Sequence, residues 1–135
     1  MAGPSASALR GTYLGYLEVL DDRRWDDLAA FVHDEVVHND RTLSREEYAA
    51  MIADDVRRIP DLRFVPELLV VDGATVACRL AFECTLAEEF GGAVPTGRPV
   101  RFAEHVLYRF RDGRIERVWS LVDLPALREQ SSGAD

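Results

Sequence analysis

Basic residues never gather in this sequence beyond the pairs Arg23-Arg24 and Arg57-Arg58, and Asp and Glu outnumber Lys and Arg 24 to 16, for a formal net charge of −8. Neutralising a phosphate backbone takes a cationic stripe, so no nucleic acid is expected as a partner, and an anionic membrane surface is disfavoured for the same reason. The two arginine pairs sit among acids and read as solvated helix surface. No apolar run approaches the roughly 20 residues that a bilayer crossing needs, and Met1 to Ala8 lacks the basic start and apolar centre of a secretory leader. A cytoplasmic location is therefore expected.

Cysteine is scarce too. Cys78 and Cys84 are the only two, and on one extended strand they would lie about 20 Å apart, beyond disulfide reach, so they read as reduced, buried thiols. His33, His38 and His105 show no metal-ligand spacing and there is no C-x-x-C pair, so no metal is expected. No glycine-rich loop follows a strand and opens a helix, and no G-x-S-x-G elbow is present. The chemistry left is cofactor-free acid/base work by carboxylate, histidine and tyrosine.

What is present is enough for one core: 135 residues, 47% hydrophobic and 30% charged, which fits a single domain over residues 8–130, with small polar ends at 1–7 and 131–135 that are expected to fray. Leu9, Tyr13, Tyr16, Leu17 and Leu20 recur at helical spacing, and Asp21-Asp22 can end that helix and cap a shorter one with Trp25, Leu28, Ala29 and Val32 on its buried stripe. Glu35 to Asp40 reads as a brief strand and turn. Ser44 followed by Glu47 is a capping box for a third helix, with face Tyr48, Met51, Ile52, Val56 and Ile59, which Pro60 terminates. Strand periodicity then runs over 62–71, 74–86, 100–111 and 114–123, with Asp72-Gly73 and Asp112-Gly113 as hairpin turns. Gly91-Gly92 reads as a turn or pocket lip. Three N-terminal helices packed on one face of a curved, largely antiparallel sheet make an α+β fold.

Strand alternation selects candidate site residues. Val76, Cys78, Leu80, Phe82, Cys84 and Leu86 share one face, as do Phe102, Val106, Tyr108 and Phe110, and Glu104 falls on that apolar face. A buried carboxylate either pairs with an arginine or performs a task with a raised pKa. His105 points the other way unless a bulge re-aims it. In the last strand Ile115, Trp119, Leu121 and Asp123 share a face, so Asp123 is either an acid/base beside an indole or the cap of a short helix starting at Leu124 or Pro125.

Several spaced features resemble one family: Val37-His38-Asn39, Pro60-Asp61-Leu62-Arg63-Phe64, Pro95-Thr96-Gly97-Arg98-Pro99-Val100, Asp112-Gly113-Arg114-Ile115 and Trp119-x-x-x-Asp123. In this order, over roughly residues 10 to 128, they are similar to the SnoaL-like polyketide cyclases and ester cyclases of the NTF2-like superfamily. The resemblance implies a cone-shaped pocket for a small-molecule substrate, usually in a homodimer, and cofactor-independent cyclase or isomerase chemistry, either aldol or epoxide-opening ring closure. It implies Asp123 as the acid/base, Tyr16 at an oxyanion-tyrosine position and Asp40 near a general-base position. Residue pattern and resemblance together make Asp123, His105, Glu104, Asp40, Tyr48 and Tyr16 the catalytic candidates. Trp119, Tyr108, His38, Tyr13 and Phe82 are the substrate-binding ones. The rival expectation is a non-catalytic ligand-binding or dimerisation module with its acids paired off in a filled core.

Overall fold

A computed structural model describes residues 5–132. The first helix, α1 (Ala6–Asp21), is capped by Ser5, whose side chain accepts from the Ala8 amide at 3.0 Å, and it buries Leu9, Tyr13, Tyr16, Leu17 and Leu20. The expected second helix is a short 3-10 turn (Trp25–Ala30) in which only Leu28 is fully buried. Ala29 is exposed, and Val32 already belongs to β1 (Val32–His38). Arg23 takes a positive φ of 58° there and its guanidinium donates to the Pro60 and Leu62 carbonyls, tying the chain reversal to the far end of the next helix.

β2 (Arg41–Ser44), which periodicity does not announce, returns against β1 through Asn39 and Asp40, both at positive φ. It feeds α2 (Arg45–Arg58), whose capping box is present as expected: the Ser44 hydroxyl accepts from the Glu47 amide and the Glu47 carboxylate from the Ser44 amide. The helix lays Tyr48 and Ile52 on the core, and Ile59 follows at its end.

Four strands follow: β3 (Val65–Asp72), β4 (Thr75–Cys84), β5 (Val100–Arg111) and β6 (Arg114–Val122). The six strands form one sheet in the order β2-β1-β6-β5-β4-β3, antiparallel throughout except for the parallel β1–β6 pair. The β5–β6 turn is made by Asp112 and Gly113, both at positive φ, the conformation that two-residue hairpins with the sheet's own twist require. A last helix, α3 (Leu124–Ser132), packs on β5, so helices lie at both ends of the chain rather than only at its start. Ser5 to Ser7 and Ser131 belong to the folded unit, because Ser5 caps α1 and the buried Ser131 hydroxyl accepts from the Val94 amide at 3.0 Å. The rest of the ends expected to fray, 1–4 and 133–135, lies outside the described residues.

One irregularity positions everything that follows. Between β5 and β6, Arg109 pairs with Arg117 but Phe110 pairs with Ile115, so Glu116 is an extra residue in β6. A bulge of one residue moves all later side chains to the opposite face. Ile115 is buried with Val118, and it is Val118, Ser120 and Val122 that turn inward, not Trp119 and Asp123, while Leu121 is largely exposed. The core runs between this inner face and α1 and α2, and Cys78 and Cys84 are both free and buried in it.

Replacing the Ser44 hydroxyl should remove one half of the capping box. Ser44→Ala is expected to lower unfolding stability by about 1 kcal/mol in urea denaturation, with an unchanged m value.

Candidate active site

The inner face of the sheet and the α2 helix enclose a cavity of about 420 Å³. Its walls are mostly apolar: Leu80, Phe82, Phe102 and Val106 come from the sheet, Met51, Ile52 and Ile59 from α2 and its end, and Phe90 and Leu124 stand beside them. Phe82 lies 5.0 Å from Phe102 and 5.9 Å from Phe64, ring centre to ring centre, so one side of the cavity is aromatic. Gly91 and Gly92 take positive φ in the tight turn Phe90–Ala93, and a Cβ on Gly91 would stand 2.4 Å from a Leu124 methyl. The glycine pair therefore lets this loop close on α3, and the neighbouring Phe90 lines the cavity while the glycines themselves form the turn.

The polar groups in the cavity are few: Tyr16, Tyr48 and Tyr108, His38, Asn39, Ser120, Glu104 and Asp55. Among the described residues no arginine lines it, and the sequence contains no lysine. Glu104, on β5, accepts a hydrogen bond from the Ser120 hydroxyl across the β5–β6 pair. Burial raises its pKa, and the Ser120 bond opposes that rise. Arg79, on the neighbouring strand β4, is no partner for it, since from the outer face it binds Glu67 at 2.8 Å and His105 at 2.7 Å.

Asp55, on α2, is the residue that strand periodicity could not find. It lies among the residues lining the cavity, and no hydrogen bond or ion pair reaches its carboxylate among the described residues. Burial first, then the charges of Glu104 and Asp54, push its pKa up to about 7, against a smaller opposing effect of Arg58. Arg58 itself is turned to Asp54 at 3.0 Å and to the Glu89 carbonyl at 2.7 Å. The sequence signal was its place three residues after Ile52, on the same helical face, flanked by Asp54, which pairs with Arg57 and Arg58 on the solvent side.

The tyrosines form a buried cluster. The Tyr16 and Tyr48 hydroxyls are 2.6 Å apart, and burial pushes both phenols up, so they remain neutral donors. Tyr108 stands edge-on to Tyr16 at 5.8 Å and lines the cavity. Tyr13 does not. It packs 4.9 Å from Tyr108 in the core behind the wall. His38 lines the cavity 6.2 Å from Tyr48, its pKa lowered by burial, and is thus a neutral imidazole near pH 7. Asn39 brackets Ser120, accepting from its amide at 2.8 Å and donating to its carbonyl at 3.1 Å, which fixes the strand that presents the Ser120 hydroxyl.

Besides Tyr13, four expected site residues lie elsewhere. Asp123 is exposed and accepts from the Ala126 amide at 3.2 Å, so of its two readings the helix cap holds, and it borders an outer groove with Arg79 and His105. Trp119 is on that outer face as well, 4.7 Å from the Arg117 guanidinium, because of the Glu116 bulge. His105 follows strict alternation outward to Arg79. Asp40 is exposed and paired with Arg117 at 2.8 Å, its left-handed backbone turning the side chain away from the cavity.

The chain matches the family model described as SnoaL-like polyketide cyclase over residues 11–131. It is similar to the solved structure of a SnoaL-like polyketide cyclase from Agrobacterium tumefaciens, with 43% identity, a TM-score of 0.87, and coverage of 90% of this chain and 96% of that one. In fold it is similar to IdmH, a putative polyketide cyclase from Streptomyces antibioticus (24% identity, TM-score 0.80, coverage 90% and 96%). It is likewise similar in fold to AclR, a putative hydroxylase from Streptomyces galilaeus (21%, 0.76, 95% and 98%). No curated protein matches the chain. No helix among the described residues is long and apolar enough to cross a membrane.

A carboxyl with a raised pKa loses stability for the fold as pH rises above the ordinary carboxyl range, because the folded state must then give up a proton it holds tightly. Glu104→Gln should therefore raise the melting temperature at pH 8 by about 5 °C and leave it unchanged near pH 4, as read by calorimetry.

Proposed function

The chain belongs to the SnoaL-like polyketide cyclase family, and from that premise we propose that it is a cofactor-independent cyclase closing a ring in a polyketide-like small molecule by aldol-type chemistry, with Glu104 as the base. The family supports a cyclase or isomerase type of function, and the residues of the cavity support the finer reading. The observation that carries it is a carboxylate in an apolar cavity that has no cationic partner among the described residues and accepts a hydrogen bond from Ser120. Such a group binds a proton more readily than a solvated carboxylate, which is what abstraction next to a carbonyl needs. The hydrogen-bonded pair Tyr16–Tyr48 supplies a neutral hydroxyl donor for the enolate oxygen that forms, in surroundings where a fixed donor outweighs water. His38, neutral, and the aromatic wall Phe82, Phe102 and Tyr108 hold the substrate folded, so that the reacting carbons start near attack distance.

A binding-module reading required acids paired off in a filled core. Glu104 faces an open cavity instead, and Arg79 pairs with Glu67. Epoxide opening would use the same groups, but a base next to a hydroxyl pair suits enolisation better. The single domain over 8–130, expected from length and composition, the cytoplasmic setting, expected from hydropathy, and the homodimer, which the resemblance implies, belong to the same proposal.

Proton abstraction can be read without the natural substrate, as the enzyme-dependent exchange of the α-protons of 2-tetralone for deuterium, followed by NMR. Glu104→Gln is expected to slow this exchange by about 10²–10⁴-fold. Asp123→Asn, which keeps a capping side chain on the outer face, should change it by less than twofold. A large loss in Asp123→Asn with full activity in Glu104→Gln would reverse the assignment.

A further inference from the structure

We propose that Asp55 is the proton donor of the reaction, standing on the helical wall of the cavity across from the strand that carries Glu104 and delivering its proton to the carbonyl oxygen under attack. This rests on the reading of Glu104 as the base, and it names a second reacting group on an element that contributes no other carboxyl to the cavity.

Three observations carry it. Asp55 projects from α2 toward a cavity whose other carboxyl comes from β5, so a substrate lying between helix and sheet meets one acid on each side. Its carboxyl has no hydrogen bond or ion pair among the described residues, although the adjacent Asp54 binds Arg57 and Arg58, so the helix spends its cations on the solvent side and leaves the cavity side bare. Ser120 donates to Glu104 and to no carboxyl on α2, which makes the two acids unequal. Burial raises both carboxyls, but only Glu104 has a hydrogen bond that favours its charged form, and a charge on Glu104 in turn helps Asp55 keep its proton. Two carboxyls sharing an apolar space, one ionised and one neutral, are a base and an acid in the same cavity.

The step balances. The Glu104 carboxylate takes a proton from the carbon next to one carbonyl. The electron pair of that C–H bond forms the new C–C bond to the second carbonyl carbon, whose π pair moves to its oxygen. That oxygen takes the proton of Asp55. The product is an isomer of the substrate. Glu104 ends protonated and Asp55 ionised, and exchange with solvent restores both. The other titratable groups around Asp55 are accounted for: His38 is neutral, the phenols of Tyr16, Tyr48 and Tyr108 keep their protons, Asp54 is held ionised by its arginines, and Arg58 is turned to Asp54 and the Glu89 carbonyl.

The group that must be protonated is thus the one with a pKa of about 7. Exchange of 2-tetralone reads the Glu104 step alone, so the acid is read by the intramolecular aldol closure of 2,6-heptanedione, whose rate with the wild type should fall as pH rises through that value. In Asp55→Asn the rate at pH 6 should drop about 10-fold or more and the alkaline fall should disappear, while Asp55→Glu should restore both in part. A purely structural role would change the rate without removing that limb. The second measurement is a carbon-13 NMR titration of aspartate carboxyls in the wild type and in Asp55→Asn, where the resonance missing from the variant should titrate near pH 7. An Asp55 resonance in the ordinary carboxylate range, or an Asp55→Asn profile that keeps its alkaline fall, overturns the proposal. Exchange by the wild type no faster than by Glu104→Gln overturns the cyclase reading instead, and the titration then decides the state of Asp55 by itself.

Discussion

The extra residue Glu116 in β6 sets the side of the sheet on which every later side chain of that strand lies. Side chains alternate with a period of two, so one inserted residue exchanges the inner and outer sets from that point on. Val118, Ser120 and Val122 come to the cavity with the largely exposed Leu121 at its rim, while Trp119 goes to the opposite face and Asp123 to the start of α3. The hydroxyl that holds Glu104 is therefore present in the cavity only because of the bulge. Without it an indole and Asp123 would stand there, and Ser120 would be on the outside with Arg79 and His105. Asn39 holds the arrangement from the neighbouring strand by bonding both backbone groups of Ser120.

With that inner face in place, the cavity combines two things that oppose stability: apolar walls and unneutralised carboxyls. The apolar walls raise the free energy of any charge placed among them, and the nearest arginines are committed to surface pairs such as Arg58–Asp54 and Arg79–Glu67. The fold tolerates this because the rest of the core is closely filled by α1 and the sheet, including the tyrosine cluster. The same burial that raises Glu104 and Asp55 holds His38 and the phenols neutral, so one physical cause sets the protonation of every polar group in the space. Function and the loss of stability thus come from the same side chains.

Much of this was legible beforehand where local rules act alone. The α1 stripe, the Ser44–Glu47 capping box, Pro60 as a stop, the Asp112-Gly113 turn and the inward face of β4 each depend on neighbours within a few residues, and each is found. Glu104 was visible as a charge on an otherwise apolar alternation, and His105 as its outward neighbour. The bulge left a trace as well, for Glu116 and Arg117 are two consecutive polar residues between the buried Ile115 and Val118, which strict alternation does not allow. Asp55 left almost none, since a helix carrying Asp54, Asp55, Arg57 and Arg58 in a row looks like solvated surface throughout.

The sequence by itself determined the α+β order, the family, and most element types and apolar faces, because these follow from periodicity, capping and turn chemistry along the chain; it did not determine β2, the 3-10 turn or the inner face of β6. Only the tertiary structure decided which carboxyls meet. Glu104 and Asp55 are 49 residues apart in the chain and come from a strand and a helix whose relative placement depends on the packing of the whole core. The outward turn of Asp123 likewise depends on a strand register that Arg109, Phe110, Ile115 and Arg117 settle jointly. Register and packing are properties of pairs of segments, and no single segment carries them.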